Sequence, residues 1–255
     1  MELMCATEQT SWRATRNMQA SMAAISNALL AALPRPVYLK VLARLTPVTL
    51  KFGDVLYEPG ALIKHAYFPS ACLVSLLTLV EGHPALEVGM VGPEGVVGVP
   101  LALGAATSPV RALVQGGGPA LQISRAHFLA ALRDNPLLQR GVSEYVQALM
   151  NQVTQTAVCN RFHVVEARLA RWLLMTRDRM ESGEFRMTHM FMSSMLGVRR
   201  EGVSEAAHVF QRKALIEYRR GNIVILDHRG LEAAACACYA AGSDAIAPWR
   251  PARRR

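Results

Sequence analysis

Half of the glycines in this chain crowd into one stretch, and no other feature restricts its fold as much. Of the 18 glycines, nine fall between Gly82 and Gly118. The apolar runs in and around that stretch, Leu73–Val80, Leu86–Val91 and Ala120–Ile123, are too short for core helices. Short β-prone runs punctuated by glycine and proline predict an all-β roll or barrel. Gly53-Asp54 and Glu58-Pro59-Gly60 are turn signals that frame a strand at Val55–Tyr57.

The flanking texture is helical. Residues from Met1 to about Ala20 are polar and show no helical repeat, which predicts a tail, and a short helix is expected from Ile25 to Leu33, stopped near Pro34. Helix returns after Ser124, and Asn135-Pro136 reads as a second helix start, with proline in the first turn. Beyond it Val142, Val146, Leu149, Val153, Thr156 and Asn160 recur at alternating steps of four and three. That spacing makes one seam, the geometry of a helix pairing with its twin, with Thr156 and Asn160 as polar groups that fix register. A helix lying on its own β-domain is the alternative.

A further amphipathic helix is expected over Arg161–Asp178, with Val165, Leu169, Trp172, Leu173 and Met175 on its apolar face, and Gly183 follows as a break. Thr188 stands where an N-cap belongs. Phe191, Met192, Met195 and Leu196 supply the apolar side of a short helix that ends at Gly197, whose left-handed conformation suits a tight turn. A second helix opens at Arg199-Arg200-Glu201 and turns Val203, Ala206, Ala207 and Phe210 inward. A hairpin follows, Ile216–Tyr218 and Ile223–Asp227, with Gly221-Asn222 expected to supply the positive φ of its turn. Together these describe a winged helix-turn-helix.

Charge agrees with that motif. The chain carries 28 basic and 19 acidic residues, a net +9. The excess is +2 up to Asn160 and +7 from Arg161 onward, the asymmetry of a nucleic-acid-binding module joined to a near-neutral one. A helix fits the major groove, and the side chains of its first turn reach base edges. Arginine donates in parallel to guanine and a carboxylate accepts from cytosine. Arg199, Arg200, Glu201, Ser204 and Glu205 are therefore the expected base readers, with Arg200 and Glu201 foremost. Thr188, Arg212, Lys213, Arg219 and Arg220 are expected nearer the phosphates, where they add affinity but little sequence information.

Other classes are less well supported. No apolar run reaches the roughly 18–20 residues of a membrane span, and the N-terminus lacks the ordered regions of a signal peptide, so the expectation is a cytoplasmic protein. Five cysteines, Cys5, Cys72, Cys159, Cys236 and Cys238, form no disulfide framework and match no standard zinc spacing. Cys236 and Cys238 read as packing residues, and no metal or other cofactor is expected. An enzyme would have to use Cys159 and His163, four apart on a helix. No oxyanion donor or orienting group accompanies them.

From about Ile25 to Tyr239 the sequence resembles the Crp-Fnr transcription regulators. The matching segments are Gly53–Gly60, Val91-Gly92-Pro93-Glu94-Gly95, the long helix from Pro136, Arg168–Leu174 and Gly197–Ser204. The resemblance implies an α+β chain: a tail at 1–24, and a cyclic-nucleotide-binding-like β-roll (a double-stranded jelly roll) at 25–134. A dimerisation helix at 135–160, a winged helix-turn-helix at 161–240 and a basic tail at 241–255 complete it. It also implies that Arg200 and Glu201 read a G·C-containing half-site. Glu205 stands where the family often has a further arginine. Double-stranded DNA and a second copy of the chain are the expected partners, with RNA polymerase and an unidentified small-molecule effector as further candidates.

The resemblance places an effector pocket at Gly92, Glu94, Thr107, Ser108 and Arg111. Cyclic-AMP binders of the family hold the ribose with a glutamate and the phosphate with an arginine. Glu94 lies near the first place, but the segment Gly104–Pro109 has no basic residue, and Arg111 belongs to the next strand. A buried phosphate without a charged partner is costly, so weak or no cyclic-AMP binding is expected. The alternative is a regulator switched by a cyclic nucleotide bound around Glu94. An iron–sulfur sensor would need more N-terminal cysteines than Cys5, and a haem sensor would have to draw on His65, His83 or Met90.

Overall fold

The computed structural model describes residues 26–180 and 182–246. The expected tail at 1–24 and the last nine residues of the expected basic tail lie outside them. The glycine-rich stretch folds as two antiparallel sheets. In one, β1 (Thr46–Leu50), β7 (Gly118–Ser124) and β3 (His65–Pro69) lie in the order β1-β7-β3. In the other, β2 (Val55–Tyr57), β6 (Arg111–Gly116), β4 (Leu73–Thr78) and β5 (Leu86–Val91) lie in the order β2-β6-β4-β5. Phe68, Val74, Val91, Val114 and Leu121 fill the space between them. The fold is α+β, as the sequence and its resemblance imply.

Short helices close the roll. α1 (Ala28–Ala31) is capped by Asn27, whose Oδ1 accepts from Leu30 N, while its buried Nδ2 donates to Pro69 O and Gly95 O at 2.8 Å each. α2 (Arg35–Leu42), α3 (Val99–Ala102) and α4 (Arg125–Asp134) follow, the last capped by Ser124. α5 then runs 27 residues, from Pro136 to Phe162.

α5 corrects the expected seam. Val142, Val146 and Leu149 are buried in the β-roll's own core beside Leu138 and Tyr145. Thr156 Oγ1 accepts from Arg171 of the same chain at 3.2 Å, and Asn160 lines a small cleft with Arg168 and Arg171. Of the six, Val153 is turned outward. The three–four spacing marks an apolar stripe, and here the open face of a small β-roll supplies the cover. Gln152 adds to this: its amide accepts from Met90 N at 2.6 Å and donates to Met90 O at 3.1 Å. It thus pairs with backbone that the edge strand β5 would otherwise leave free.

The C-terminal unit comprises α6 (Val165–Met180), β8 (Glu184–Arg186), α7 (His189–Leu196), α8 (Arg200–Arg212), β9 (Ile216–Arg219), β10 (Asn222–Ile225), α9 (His228–Ala234) and α10 (Cys238–Ile246). Residues 241–246, expected as tail, are helix. β8 makes the wing a three-stranded sheet, β8-β10-β9. In its hairpin turn the positive φ values belong to Arg220 (51°) and Gly221 (83°), one residue earlier than expected.

The two units share a core. Leu73, Leu77 and Met90 of the roll pack with Trp172, Leu173, Met192 and Met195. Trp172 Nε1 donates to the buried Glu87 at 2.9 Å, and Gln115 Nε2 donates to Thr176 at 3.2 Å. A Cβ at Gly197 would press on Leu86, so the turn between α7 and α8 rests directly against the start of β5.

Candidate nucleic-acid interface

α7 and α8 are set by local chemistry. Thr188 Oγ1 accepts from Phe191 N at 3.1 Å and caps α7, as its place in the sequence predicts. Gly197 ends that helix at φ 60° and ψ 39°, a conformation in which a Cβ is strained. Arg168 donates to Leu196 O from α6 and so holds the last carbonyl of α7. Arg199 is the N-cap residue of α8, and Val203, Ala206, Ala207 and Phe210 are its buried face.

The opposite face is open. Arg199, Arg200, Glu201 and Glu205 are exposed, with His208 one turn further on. Glu201 in the first turn complements the positive end of the helix dipole. Arg212, Lys213, Arg219, Arg220 and Thr188 are exposed as well, so the helix and the wing bring most of the expected reader and phosphate residues to the surface.

Ser204 departs from the expectation. It is half-buried, and its Oγ is 2.8 Å from His189 Nδ1, so its hydroxyl joins α8 to the first residue of α7. The His189 ring stacks on Tyr218 of the wing, centroids 4.2 Å apart. Burial, and then the charge of Arg200, lower the pKa of His189. His189 and Tyr218 were not legible as site residues, since neither charge nor helical spacing marks them. Arg186 is exposed on β8 and register-paired with Asn222 of the wing, and it too escaped the sequence because β8 has no apolar pattern.

In the β-roll the expected pocket is dispersed. Glu94 is buried and ion-paired with Arg179 of α6 at 2.7 Å. Gly92 lies against the same arginine, leaving no room for a Cβ. Arg111 pairs with Glu58 at 2.8 Å, and Thr107 is exposed. Ser108 alone of the five lines a cavity of about 160 Å³ between the sheets. Its other walls include Tyr57, Leu76, Val91, Val97, Val99 and Leu149, with no charged side chain. The fold thus spends Glu94 on a contact between the two units. The pair of the enzyme reading is differently engaged: His163 Nδ1 meets Cys238 Sγ at 3.5 Å, while Cys159 Sγ meets Cys236 Sγ at 3.4 Å.

Comparison with known proteins identifies one domain. Residues 167–234 match the Crp-like helix-turn-helix domain. The C-terminal unit thus contains a Crp-like helix-turn-helix domain. The solved structures agree on the fold. FixK2 from Bradyrhizobium japonicum superposes with a TM-score of 0.65 at 15% identity, covering 76% of this chain and 98% of that one. A CRP-family transcriptional regulator from Thermus thermophilus gives 0.63 at 18%, covering 74% and 96%. The c-di-GMP-responsive global regulator CLP of Xanthomonas campestris gives 0.63 at 17%, covering 76% and 100%. Among curated proteins none matches. No helix among the described residues is long and apolar enough to cross a membrane.

Proposed function

We propose that this chain is a transcription regulator of the Crp/Fnr type, a homodimer whose two α8 helices enter successive major grooves of a palindromic site. The observation that carries the reading is the first turn of α8, where Arg199, Arg200 and Glu201 are exposed on a helix whose other face is fully packed. Two such helices set one DNA turn apart, roughly 34 Å, would engage two half-sites. The outer flank of α5 supports the pairing: Met150 is 60% and Val153 37% exposed, with Val158 beyond them. Met150→Glu is expected to shift the chain from dimer to monomer in analytical ultracentrifugation, since it sets a charge on an apolar contact.

Selection of bound duplexes from a random pool tests the reading itself. Arg200→Ala is expected to relax preference at one base pair of each half-site by roughly 1–3 kcal/mol. Arg220→Ala is expected to weaken all duplexes alike and reduce the salt slope by about 1. An unaltered motif with Arg200→Ala refutes the reader assignment.

The effector side of the proposal follows from the cavity between the sheets. Its apolar walls suit a small, weakly polar molecule, and no basic side chain there meets a cyclic phosphate. Calorimetry is expected to show weak or no cyclic-AMP binding. Tight binding abolished by Glu94→Ala would restore the nucleotide-switched alternative. RNA polymerase stands as a further partner of this proposed dimer.

A further inference from the structure

Four side chains with metal-ligand chemistry converge where the long helix meets α10. Cys159 lies in the final turn of α5 and His163 is the C-cap of that helix. Cys236 lies in the link after α9, and Cys238 is the first residue of α10. Cys159 Sγ is 3.4 Å from Cys236 Sγ, and Cys238 Sγ is 3.5 Å from His163 Nδ1. The four ligand atoms all lie within 4.8 Å of one another.

Those separations suit a tetrahedral ion. With zinc–sulfur bonds of about 2.3 Å and zinc–nitrogen bonds of about 2.0–2.1 Å, the edges of the tetrahedron are about 3.8 Å between sulfurs and about 3.5 Å from sulfur to nitrogen. The two measured pairs lie within about 0.4 Å of these edges, and the widest separation has to close by about 1 Å. Three sulfurs and one imidazole form a soft donor set that excludes the oxygen-seeking magnesium and calcium ions. A simple disulfide between Cys159 and Cys236 would leave the convergence of Cys238 and His163 unexplained.

The surroundings complete the case. Gln155 Nε2 donates to Cys238 Sγ at 2.8 Å, the kind of outer hydrogen bond that orients a thiolate ligand. A divalent ion with three thiolates carries a net negative charge, and Arg168 and Arg171 lie close enough to these thiols to act on them electrostatically. The Nε atoms of both arginines are buried without a hydrogen-bond partner. Cys236 and His163 are half-buried, which leaves an ion a path from solvent.

We propose that Cys159, His163, Cys236 and Cys238 form a binding site for a thiophilic divalent cation of the zinc class. The bound ion ties the junction of α5 and α6 to α10, and so fixes the DNA-binding unit at the end of the long helix. Ion binding itself does not depend on the DNA reading proposed above.

The test is a titration of the reduced, metal-stripped full-length chain with Co²⁺, followed by Zn²⁺. One Co²⁺ per chain is expected, with the visible d–d absorption of tetrahedral thiolate ligation, displaced by Zn²⁺. His163→Ala and the double variant Cys236→Ser/Cys238→Ser are each expected to weaken binding at least tenfold, with Cys5→Ser as the unaffected control. Far-UV circular dichroism confirms that each variant is folded. Absence of tetrahedral Co²⁺ absorption in the folded parent overturns the proposal, as does undiminished binding in a folded double variant. Loss of two hydrogens by mass on air oxidation, with no ion bound by the reduced chain, also overturns it in favour of a redox pair.

Discussion

Arg179→Met is expected to lower the unfolding free energy by roughly 3–5 kcal/mol, the range found when one member of a buried ion pair is removed. Arg179 Nε donates to Glu94 Oε1 at 2.7 Å, with the two side chains only 3% and 4% exposed. The methionine keeps the aliphatic bulk and deletes the charge, so the cost falls on a Glu94 carboxylate left without its counterion. Denaturant unfolding of the variant measures it. Replacing both partners, Glu94→Gln with Arg179→Met, is expected to recover most of the loss, because no uncompensated charge remains. A loss below about 1 kcal/mol in the single variant would mean that Glu94 regains water, as in an exposed pair. The pair joins the loop after β5 to α6, so the single variant is also expected to loosen the seat of the DNA-binding unit.

The second large effect is a dependence on pH that belongs to Glu87. Burial pushes its carboxyl from 4.5 up to about 7, against the opposing hydrogen bonds of Ser75 and Trp172 and the charges of Arg179 and Arg171. Its Oε2 is buried without a hydrogen-bond partner, so no donor there stabilises the ionised form. The folded chain holds this proton between pH 4.5 and about 7, a range in which the unfolded chain has released it. The contribution is therefore full below pH 4.5 and is lost as pH rises to about 7, amounting to roughly 3 kcal/mol. Glu87→Gln keeps an acceptor for Trp172 and has nothing to titrate, so its stability relative to the parent is expected to rise across that window. The lowered pKa of His189 acts in the other direction, costing stability as pH falls below the ordinary histidine value. The difference between parent and variant isolates Glu87. Parallel curves for the two proteins would refute the assignment.

Both predictions concern the contact between the β-roll and the helix-turn-helix, which the sequence did not reveal. Turn residues and local periodicity carried the elements: β2 at Val55–Tyr57 and β5 at Leu86–Val91 fall where they were expected, as do the Thr188 cap and the Gly197 turn. The buried face of α8 followed from spacing in the same way. Tertiary choices did not follow. The stripe on α5 records that something apolar covers it, but the same spacing serves a twin helix and a neighbouring sheet. Glu94 looks like a pocket residue by its position, and only the fold brings Arg179, 85 residues away, to neutralise it. The cysteines show this limit most sharply. Cys159 and Cys236 are 77 positions apart, and no spacing rule joins them until α10 packs back on α5.

The long helix α5 has one further consequence. Val142, Tyr145 and Leu149 hold the roll together from one side of the cylinder, while Met150, Val153 and Val158 face away from it. Support of the protomer and the contact proposed for its twin would thus be written on separate sides of one rod. In the proposed dimer, sequence drift on the outward side would retune how firmly two subunits adhere, while the interior that keeps each of them folded is left as it was.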